Sequence, residues 1–249
     1  MREILTLTRK DLQLLILDKT SLIVTFALPL ILIALIGSVF ASTFPPSLGI
    51  TSYDYAFSKV MFWGLIGGVA SSVGSIAIEK NSGTILRLQV SPIRKFQFLL
   101  GKSIACVVLL ILSSVISWLF GSVLFGIKTN SILFLSLILV SNAIFFIGLM
   151  TFLSNFVKTE RAAGALSWSV LQLLACFSGI MFPITVMPPW MVTMTNFNPV
   201  TWAVKAMEIA LWKEITFDNM LLPMGVPILA GIFLFSVSVY LFRWTDQEI

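Results

Sequence analysis

The chain has 249 residues, of which 58% are hydrophobic and only 11% are charged, with a formal net charge of +5. A soluble domain is about a quarter charged, so this composition excludes a water-soluble globular protein and requires lipid as the solvent. The sequence contains no histidine, which removes the commonest metal ligand and the usual proton shuttle near neutral pH. Two cysteines, Cys106 and Cys176, each lie within an apolar run and are expected to be buried small hydrophobes, so no metal site is predicted.

The first segment, residues 1–20, is predicted to form an amphipathic helix. One helical stripe contains Ile4, Leu5, Thr8, Leu12, Leu15 and Ile16. The charged and polar residues lie on the opposite face of the helix. Such a helix is expected to lie along the cytoplasmic interface with its apolar face in the lipid. The alternative is a helix that only continues into the first transmembrane span.

Six apolar runs of about 20 residues follow, each long enough to cross a hydrocarbon core. In lipid such runs must be helical, because an open strand edge would leave its backbone groups without partners. They lie at 21–41, 57–78, 99–125, 132–156, 163–182 and 221–242. The predicted fold is therefore all-α, a polytopic membrane protein with six transmembrane helices, and no linker divides residues 1–249 into more than one domain.

The basic residues predict the orientation of these spans. Most lysines and arginines fall before span one, between spans two and three, between four and five, and after six, whereas the opposite side holds only Lys59, Lys128, Lys205 and Lys213. The positive-inside rule then places both termini in the cytoplasm. The net positive charge follows from this topology and requires no nucleic-acid partner.

The longest predicted cytoplasmic loop reads EKNSGTILRLQVSPIRKFQFLLGKS, residues 79–103. Gly83 can end the helix of span two, and Ser91-Pro92 is typical of a helix start. The closing GKS matches the end of a nucleotide-binding loop, but Phe96 stands where that loop needs glycine, so no nucleotide site is predicted. Lys102 is expected to extend to the lipid headgroups. The residues alone leave open whether the loop is a docking element or only a connector.

Two further stretches are unusual. Residues 183–215 are apolar but interrupted by prolines, which predicts short external re-entrant or interfacial helices, with one from Thr201 to Trp212. In span two, Gly64, Gly68 and Ser72 recur every four residues, a spacing that favours close helix packing over a substrate lining. The other intramembrane candidates for a pathway are Asn142, Gln172 and Phe177.

The predicted spans contain no Asp, Glu or Arg, and their only lysines, Lys59 and Lys102, lie within a turn of an end. Carriers driven by ion gradients usually keep ionisable groups at mid-membrane, so coupling to an ion gradient is not favoured. A membrane enzyme would need clustered acidic, histidine or cysteine side chains, which the sequence does not offer. A passive channel or an assembly scaffold remains an alternative.

The loop pattern E-K-x-x-G-T-x-x-x-L-x-V-S-P, followed by a basic pair and L-x-G-K, resembles the signature loop of type-2 ATP-binding-cassette (ABC) exporter permeases. The similarity covers the whole chain. It implies that residues 79–98 form a coupling-helix loop that docks on a separate ABC ATPase subunit. Residues placed by this similarity in or beside the contact are Glu79, Gly83, Thr84, Arg87, Ser91 and Pro92.

The same resemblance implies a non-enzymatic permease in the cytoplasmic (inner) membrane, paired with a second permease copy or homologue and surrounded by membrane lipid. ATP and Mg would be bound by the partner ATPase and no cofactor by this chain. In the family, spans two and five face the pathway, and external re-entrant helices cap it. The expected cargo is hydrophobic or amphipathic, a drug-like molecule or lipid, with export of a polysaccharide or lipid-linked glycan as the alternative.

Overall fold

The computed structural model describes residues 2–17, 19–40, 50–81, 93–182 and 184–242. Within these ranges the chain is helical, without strands. The helices are α1 (Arg2–Leu17), α2 (Lys19–Val39), α3 (Ser52–Asn81), α4 (Lys95–Phe125), α5 (Ile132–Leu153), α6 (Glu160–Cys176), α7 (Pro189–Phe197), α8 (Pro199–Leu211) and α9 (Phe217–Leu241), with a 3-10 turn at Ile184–Val186. The all-α prediction is confirmed.

Each predicted span overlaps a helix, from α2 to α6 and then α9. The fifth was predicted to extend to residue 182, but α6 ends at Cys176. Among the described residues, α4, α5 and α9 are long and apolar enough to cross a membrane, with mean hydropathies of 2.5, 2.5 and 2.2. A shorter apolar helix covers Thr25–Val39 within α2. The complete six-span topology and its orientation stay predictions.

The predicted N-terminal helix is present as α1, and it packs against the start of α4. Leu7 is buried in this contact, and a Cβ added at Gly101 would lie 3.1 Å from the Leu7 Cβ. The Thr8 hydroxyl also donates a hydrogen bond to the Gly101 carbonyl, at 3.0 Å. Glycine therefore lets α1 cross α4 at backbone distance. Leu5 and Ile16, from the predicted apolar stripe, are exposed and free to face lipid.

Helix α3 occupies the centre of the molecule and packs against α2, α4 and α6. Val69, Val73 and Ala77 from α3 are fully buried in an apolar core, which they share with Phe145 and Phe146 of α5. Burial of apolar side chains between helices contributes roughly 25 cal/mol per Å² when water is the reference. Helix α3 thus connects the two ends of the fold through a packed interior.

Helices α5 and α9 form the most extensive helix pair in the described structure. Their closest approach is at Gly148 and Gly231, where an added Cβ on Gly148 would overlap the Gly231 carbonyl and one on Gly231 would overlap the Ile144 carbonyl. Small residues allow this approach, because they leave no side chain between the backbones. The contact fixes α5 and α9 side by side.

The described part of residues 183–215 forms short helices, as its prolines predict. Pro188 precedes α7, and Pro199 occupies the first turn of α8, where its missing N–H leaves no hydrogen bond unmade. The Asn198 side chain caps α8 by accepting a hydrogen bond from the Val200 amide at 3.0 Å. The helix predicted from Thr201 to Trp212 is observed as α8. Pro183 lies outside the described residues.

Candidate functional site

Of the predicted coupling residues, only Glu79 lies within the described structure, two residues before the end of α3 at Asn81. Its Oε1 atom is 2.9 Å from the Lys10 Nζ atom and 3.1 Å from the Lys102 Nζ atom, and Glu79 is 7% exposed. Glu79 therefore joins α3 to α1 and α4. The other predicted coupling residues, Gly83, Thr84, Arg87, Ser91 and Pro92, lie outside the described residues.

Lys102 does not reach the headgroups, so that prediction is wrong. The residue is 3% exposed, and its Nζ atom lies 3.2 Å from Asp11 Oδ1 and 2.9 Å from the Ser75 hydroxyl. Two carboxylates and a hydroxyl inside the fold supply the ammonium with charged and polar partners, as a buried lysine requires. Lys10, Asp11, Ser75, Glu79 and Lys102 together are called the Glu79 cluster below.

Helix α4 begins at Lys95, after the non-helical residues Ile93 and Arg94. The helix start expected from Ser91-Pro92 therefore does not belong to the described part of α4. The Arg94 amide donates a hydrogen bond to the Gln97 Oε1 atom at 2.9 Å, which satisfies one free amide at the start of the helix.

Burial shapes the electrostatics of the α1 side of the cluster. Burial raises the pKa of Asp11, and the neighbouring Lys102 only partly opposes this rise. The hydrogen bond to Glu79 raises the pKa of Lys10 against the opposing effect of burial. Asp11 Oδ2 accepts no hydrogen bond from the described residues. The charged groups of the Glu79 cluster are therefore ion-paired, but one oxygen of the Asp11 carboxylate has no hydrogen bond from the described residues.

Both ends of the predicted coupling loop are anchored to the C-terminal ends of other helices. Lys80 Nζ donates to the Ser154 carbonyl at 3.1 Å and lies 5.0 Å from the centre of the Phe242 ring. Lys95 Nζ donates to the Phe242 carbonyl at 2.9 Å. Cations are favourable at helix C-termini, where unpaired carbonyls carry partial negative charge. A displacement of the loop would therefore act on α5 and α9 as well as on α1.

A second ionic group lies at the other end of α3. Glu208 of α8 pairs through Oε1 with Lys59 Nζ at 2.7 Å and through Oε2 with Lys213. Burial alone would raise the pKa of Glu208, but the charges of Lys59 and Lys213 outweigh it, so the pKa lies below its ordinary value. Lys59, Glu208 and Lys213 are called the Glu208 cluster below.

A comparison with protein families shows what these helices belong to. The family model described as ABC-2 type transporter matches residues 2–212. This range includes the predicted coupling loop, the Glu79 cluster and the Glu208 cluster apart from Lys213. The chain belongs to the ABC-2 type transporter family. As a member of this family it is the transmembrane component of an ABC transporter. A comparison with curated proteins found no match.

The predicted pathway residues of this ABC-2 permease are distributed over the fold, and no described contact joins them. Asn142 is 4% exposed and borders a cavity of about 20 Å³ between α3, α4, α5 and α8. Its Oδ1 atom accepts no hydrogen bond from the described residues, and such a cavity is about the size that holds one water. Ser72 is buried in α3. Gly68 lies in α3, in a stretch whose side chains the structure does not describe.

Gln172 and Phe177 lie nearer the external helices. Gln172 Nε2 is 3.0 Å from the Met181 sulfur, and the Phe177 ring lies edge-on to Trp190 with 6.3 Å between centroids. Phe177 thus connects the end of α6 to α7. Whether these residues contact cargo stays a prediction.

Sequence reasoning missed the partners within both clusters. Asp11 and Lys102 are 91 positions apart, and Lys59 and Glu208 are 149 positions apart, so no local pattern joins them. One signal was available: Leu7 and Asp11 lie one helical turn apart and are the buried face of α1. A carboxylate on the same face as a buried leucine indicates a buried partner cation.

Proposed function

We propose that the chain is the membrane subunit of an ATP-driven exporter that moves a hydrophobic or amphipathic molecule, a drug-like compound or lipid, across the cytoplasmic membrane. A separate ABC ATPase, which binds ATP and Mg, supplies the energy, and a second permease copy or homologue forms the other wall of the pathway. The observation that carries the proposal is membership of the ABC-2 family, joined to the anchoring of both ends of the loop at Glu79, Lys80 and Lys95.

The anchoring supports a route by which ATPase motion reaches the outer side. Glu79 and Lys59 lie on the same helix, 20 positions apart, which is about 30 Å along a helix axis. A rigid α3 that is displaced at Glu79 carries Lys59 with it, and Lys59 is ion-paired to α8. The ATPase can shift the equilibrium between two states only through contacts that differ between them. The coupling loop is where we place those contacts.

The proposed class of cargo follows from the chemistry of the spans. The only lysines of the predicted spans, Lys59 and Lys102, are both consumed by ion pairs inside the chain. A pathway between such helices offers apolar surface and hydroxyl or amide groups, which suits a hydrophobic or amphipathic molecule better than a highly charged one. A polysaccharide or lipid-linked glycan exporter and a passive channel are the outcomes against which the proposal is tested.

The decisive experiment reconstitutes the purified permease with the ABC ATPase that co-purifies with it from native membranes. ATP hydrolysis and the efflux of a fluorescent amphiphile from liposomes are measured together. Arg87→Ala in the predicted coupling loop is expected to reduce efflux by about tenfold or more while ATP hydrolysis persists, because an ionic contact with a partner is lost. Arg161→Ala is the matched control, because Arg161 is exposed on the other predicted cytoplasmic loop.

Three results would contradict the proposal. Efflux without any ATPase would indicate a passive channel. Equal losses in Arg87→Ala and Arg161→Ala would remove the special role of the coupling loop. Stimulation of ATP hydrolysis by glycans and not by amphiphiles would replace the proposed cargo with the alternative one.

A further inference from the structure

A cavity of about 450 Å³ opens beside the Glu208 cluster, between the start of α3, α8 and the start of α9. This volume is within the range of small-molecule sites, about 300 to 1,000 Å³. Its charged lining comprises Lys59, Lys205, Lys213, Glu208 and Asp218. Three lysines face two carboxylates, so the walls carry a net positive charge.

The positive charge is not distributed evenly along the walls. Both carboxylate oxygens of Glu208 are taken by Lys59 and Lys213. Lys205 has no carboxylate within ion-pair distance among the described residues, and its Nζ atom instead lies 4.2 Å from the centre of the Trp202 ring. An ammonium group has three N–H donors, so Lys205 keeps hydrogen-bonding capacity that points to an anionic ligand.

The environment of Lys205 supports this assignment. Burial lowers the pKa of Lys205, and the nearby charge of Lys213 lowers it further, against a smaller opposing effect of Glu208. Lys205 and Lys213 are thus two cations close enough to repel each other. An anion between them would relieve that repulsion and replace the water that burial removes.

The rest of the lining includes Ser178, Thr201 and Asn219, and it has an apolar side built around a fixed aromatic ring. Trp202 Nε1 donates a hydrogen bond to the Asn196 carbonyl at 2.8 Å, which holds the indole in place. Ile184, Leu222 and Pro223 complete an apolar side of the lining. Leu222 of α9 both lines the cavity and is 54% exposed. An acyl chain leaving the cavity along this side would stay in apolar surroundings.

We propose that this cavity binds an amphipathic anion, with a phosphate-type head at Lys205 and Lys213 and an acyl chain along Trp202 and Leu222. Asp218, which also lines the cavity, favours a head with a single negative charge over one with two. The site is complete within one chain. Binding can therefore be tested on the permease alone.

The test measures lipid retention by native mass spectrometry after the purified chain is released from nanodiscs of phosphatidylcholine doped with phosphatidylglycerol. The wild-type chain is expected to retain one phosphatidylglycerol in preference to phosphatidylcholine. Lys205→Gln is expected to weaken this retention by about tenfold or more, because a charge-assisted hydrogen bond is lost. Lys205→Glu should abolish the preference. Lys128→Gln is the matched control, because Lys128 is an exposed lysine that does not line the cavity.

A competition arm separates a lipid from a free anion. Inorganic phosphate lacks the acyl chain, so it should not displace phosphatidylglycerol at equal concentration. Displacement by inorganic phosphate would show a free-anion site and overturn the amphiphile assignment. Equal retention by wild type, Lys205→Gln and Lys128→Gln, or no preference over phosphatidylcholine, would overturn the site itself. Each variant's melting temperature is measured beside wild type, so that misfolding is recognised, and Lys205→Glu replaces Lys205→Gln if the latter misfolds.

Discussion

The Glu79 and Glu208 clusters share a plan and differ in their surroundings. In each cluster, one carboxylate pairs with a buried lysine and with a half-exposed lysine at the rim of the cluster. The buried Lys102 of the Glu79 cluster has 2% side-chain exposure, and the rim lysine Lys213 of the Glu208 cluster has 49%. The Glu79 cluster adds a second carboxylate, Asp11, and a serine hydroxyl, and is sealed between α1, α3 and α4. The Glu208 cluster instead borders the 450 Å³ cavity.

The difference shows how the same ionic chemistry serves two purposes. Charges interact more strongly where water is excluded, and breaking a sealed pair leaves an uncompensated buried charge. The Glu79 cluster therefore acts as a rigid joint between three helices. At the Glu208 cluster, water from the cavity can replace a lost partner, so this joint is easier to open. In the proposed mechanism, the Glu79 cluster is the stiff connection to the ATPase and the Glu208 cluster is the connection that yields.

The largest expected effect is that of Lys102→Met. This substitution leaves Asp11 and Glu79 buried beside each other without the central cation. The expected loss of unfolding free energy is about 3–5 kcal/mol, as for other broken buried pairs. Thermal unfolding in detergent, followed by tryptophan fluorescence, measures it. An unchanged melting temperature would mean that water reaches the Glu79 cluster after all.

Glu208→Gln should have a smaller effect, about 1–3 kcal/mol. Lys59 loses its carboxylate, but the adjoining cavity gives its ammonium access to water. The double variant Lys59→Met with Glu208→Gln should recover part of the loss, because no buried unpaired charge remains and Lys213, at 49% side-chain exposure, is solvated. If Glu208→Gln cost as much as Lys102→Met, the contrast between a sealed and an open cluster would be wrong.

Acid should affect the two clusters with opposite sign. The pKa of Glu208 lies below its ordinary value of 4.5, so its contribution to stability is present above pH 4.5 and is lost as the pH falls through the lower folded-state value. The pKa of Asp11 lies above its ordinary value of 3.8, so acid favours the folded state at that residue and the contribution is lost as the pH rises through the raised value.

Melting temperatures recorded from about pH 7 to about pH 3 test this difference. Glu208→Gln should flatten the acid limb of the curve relative to wild type, whereas Asp11→Asn should steepen it. A steeper acid limb in Glu208→Gln would contradict the assignment of the Glu208 cluster.

The smallest effects are expected at the two rim lysines. Lys10 and Lys213 have the same side-chain exposure, 49%, and each pairs with the carboxylate at the centre of its cluster. Solvent screens such pairs, so Lys10→Met and Lys213→Met should each cost about 0–1 kcal/mol in the same unfolding assay. If Lys10→Met lost as much unfolding free energy as Lys102→Met, water would have to be excluded around Lys10 as well, at the surface of α1.

Hydropathy was sufficient to predict the helices but not how they meet. The predicted runs overlap α2 to α6 and α9, because lipid leaves helix as the only way to satisfy the backbone. The prolines around Asn198 likewise predicted short external helices. In contrast, Lys102 was expected at the headgroups, because a sequence window shows that a lysine ends a span but not that Asp11 lies opposite.

The site was predictable only where a residue belongs to a family pattern. Glu79 was identified through the loop motif, and the structure places it at a helix junction. Lys59 was noted as a lysine within a turn of the end of a span, yet its pairing with Glu208 depends on how α3 packs against α8. Such long-range pairing is set by tertiary packing, which neither periodicity nor charge counting contains.

The glycine contact between α5 and α9 restricts which parts of the protein can separate. With the Gly148 and Gly231 backbones touching, sliding either helix by one position would force a bulky neighbour into a space that holds no side chain. Rotation about the shared axis is obstructed in the same way. We therefore expect α5 and α9 to move as one rigid body during a transport cycle. Any opening of the permease is then expected at other helix contacts, where α3 and its neighbours have side chains that can repack.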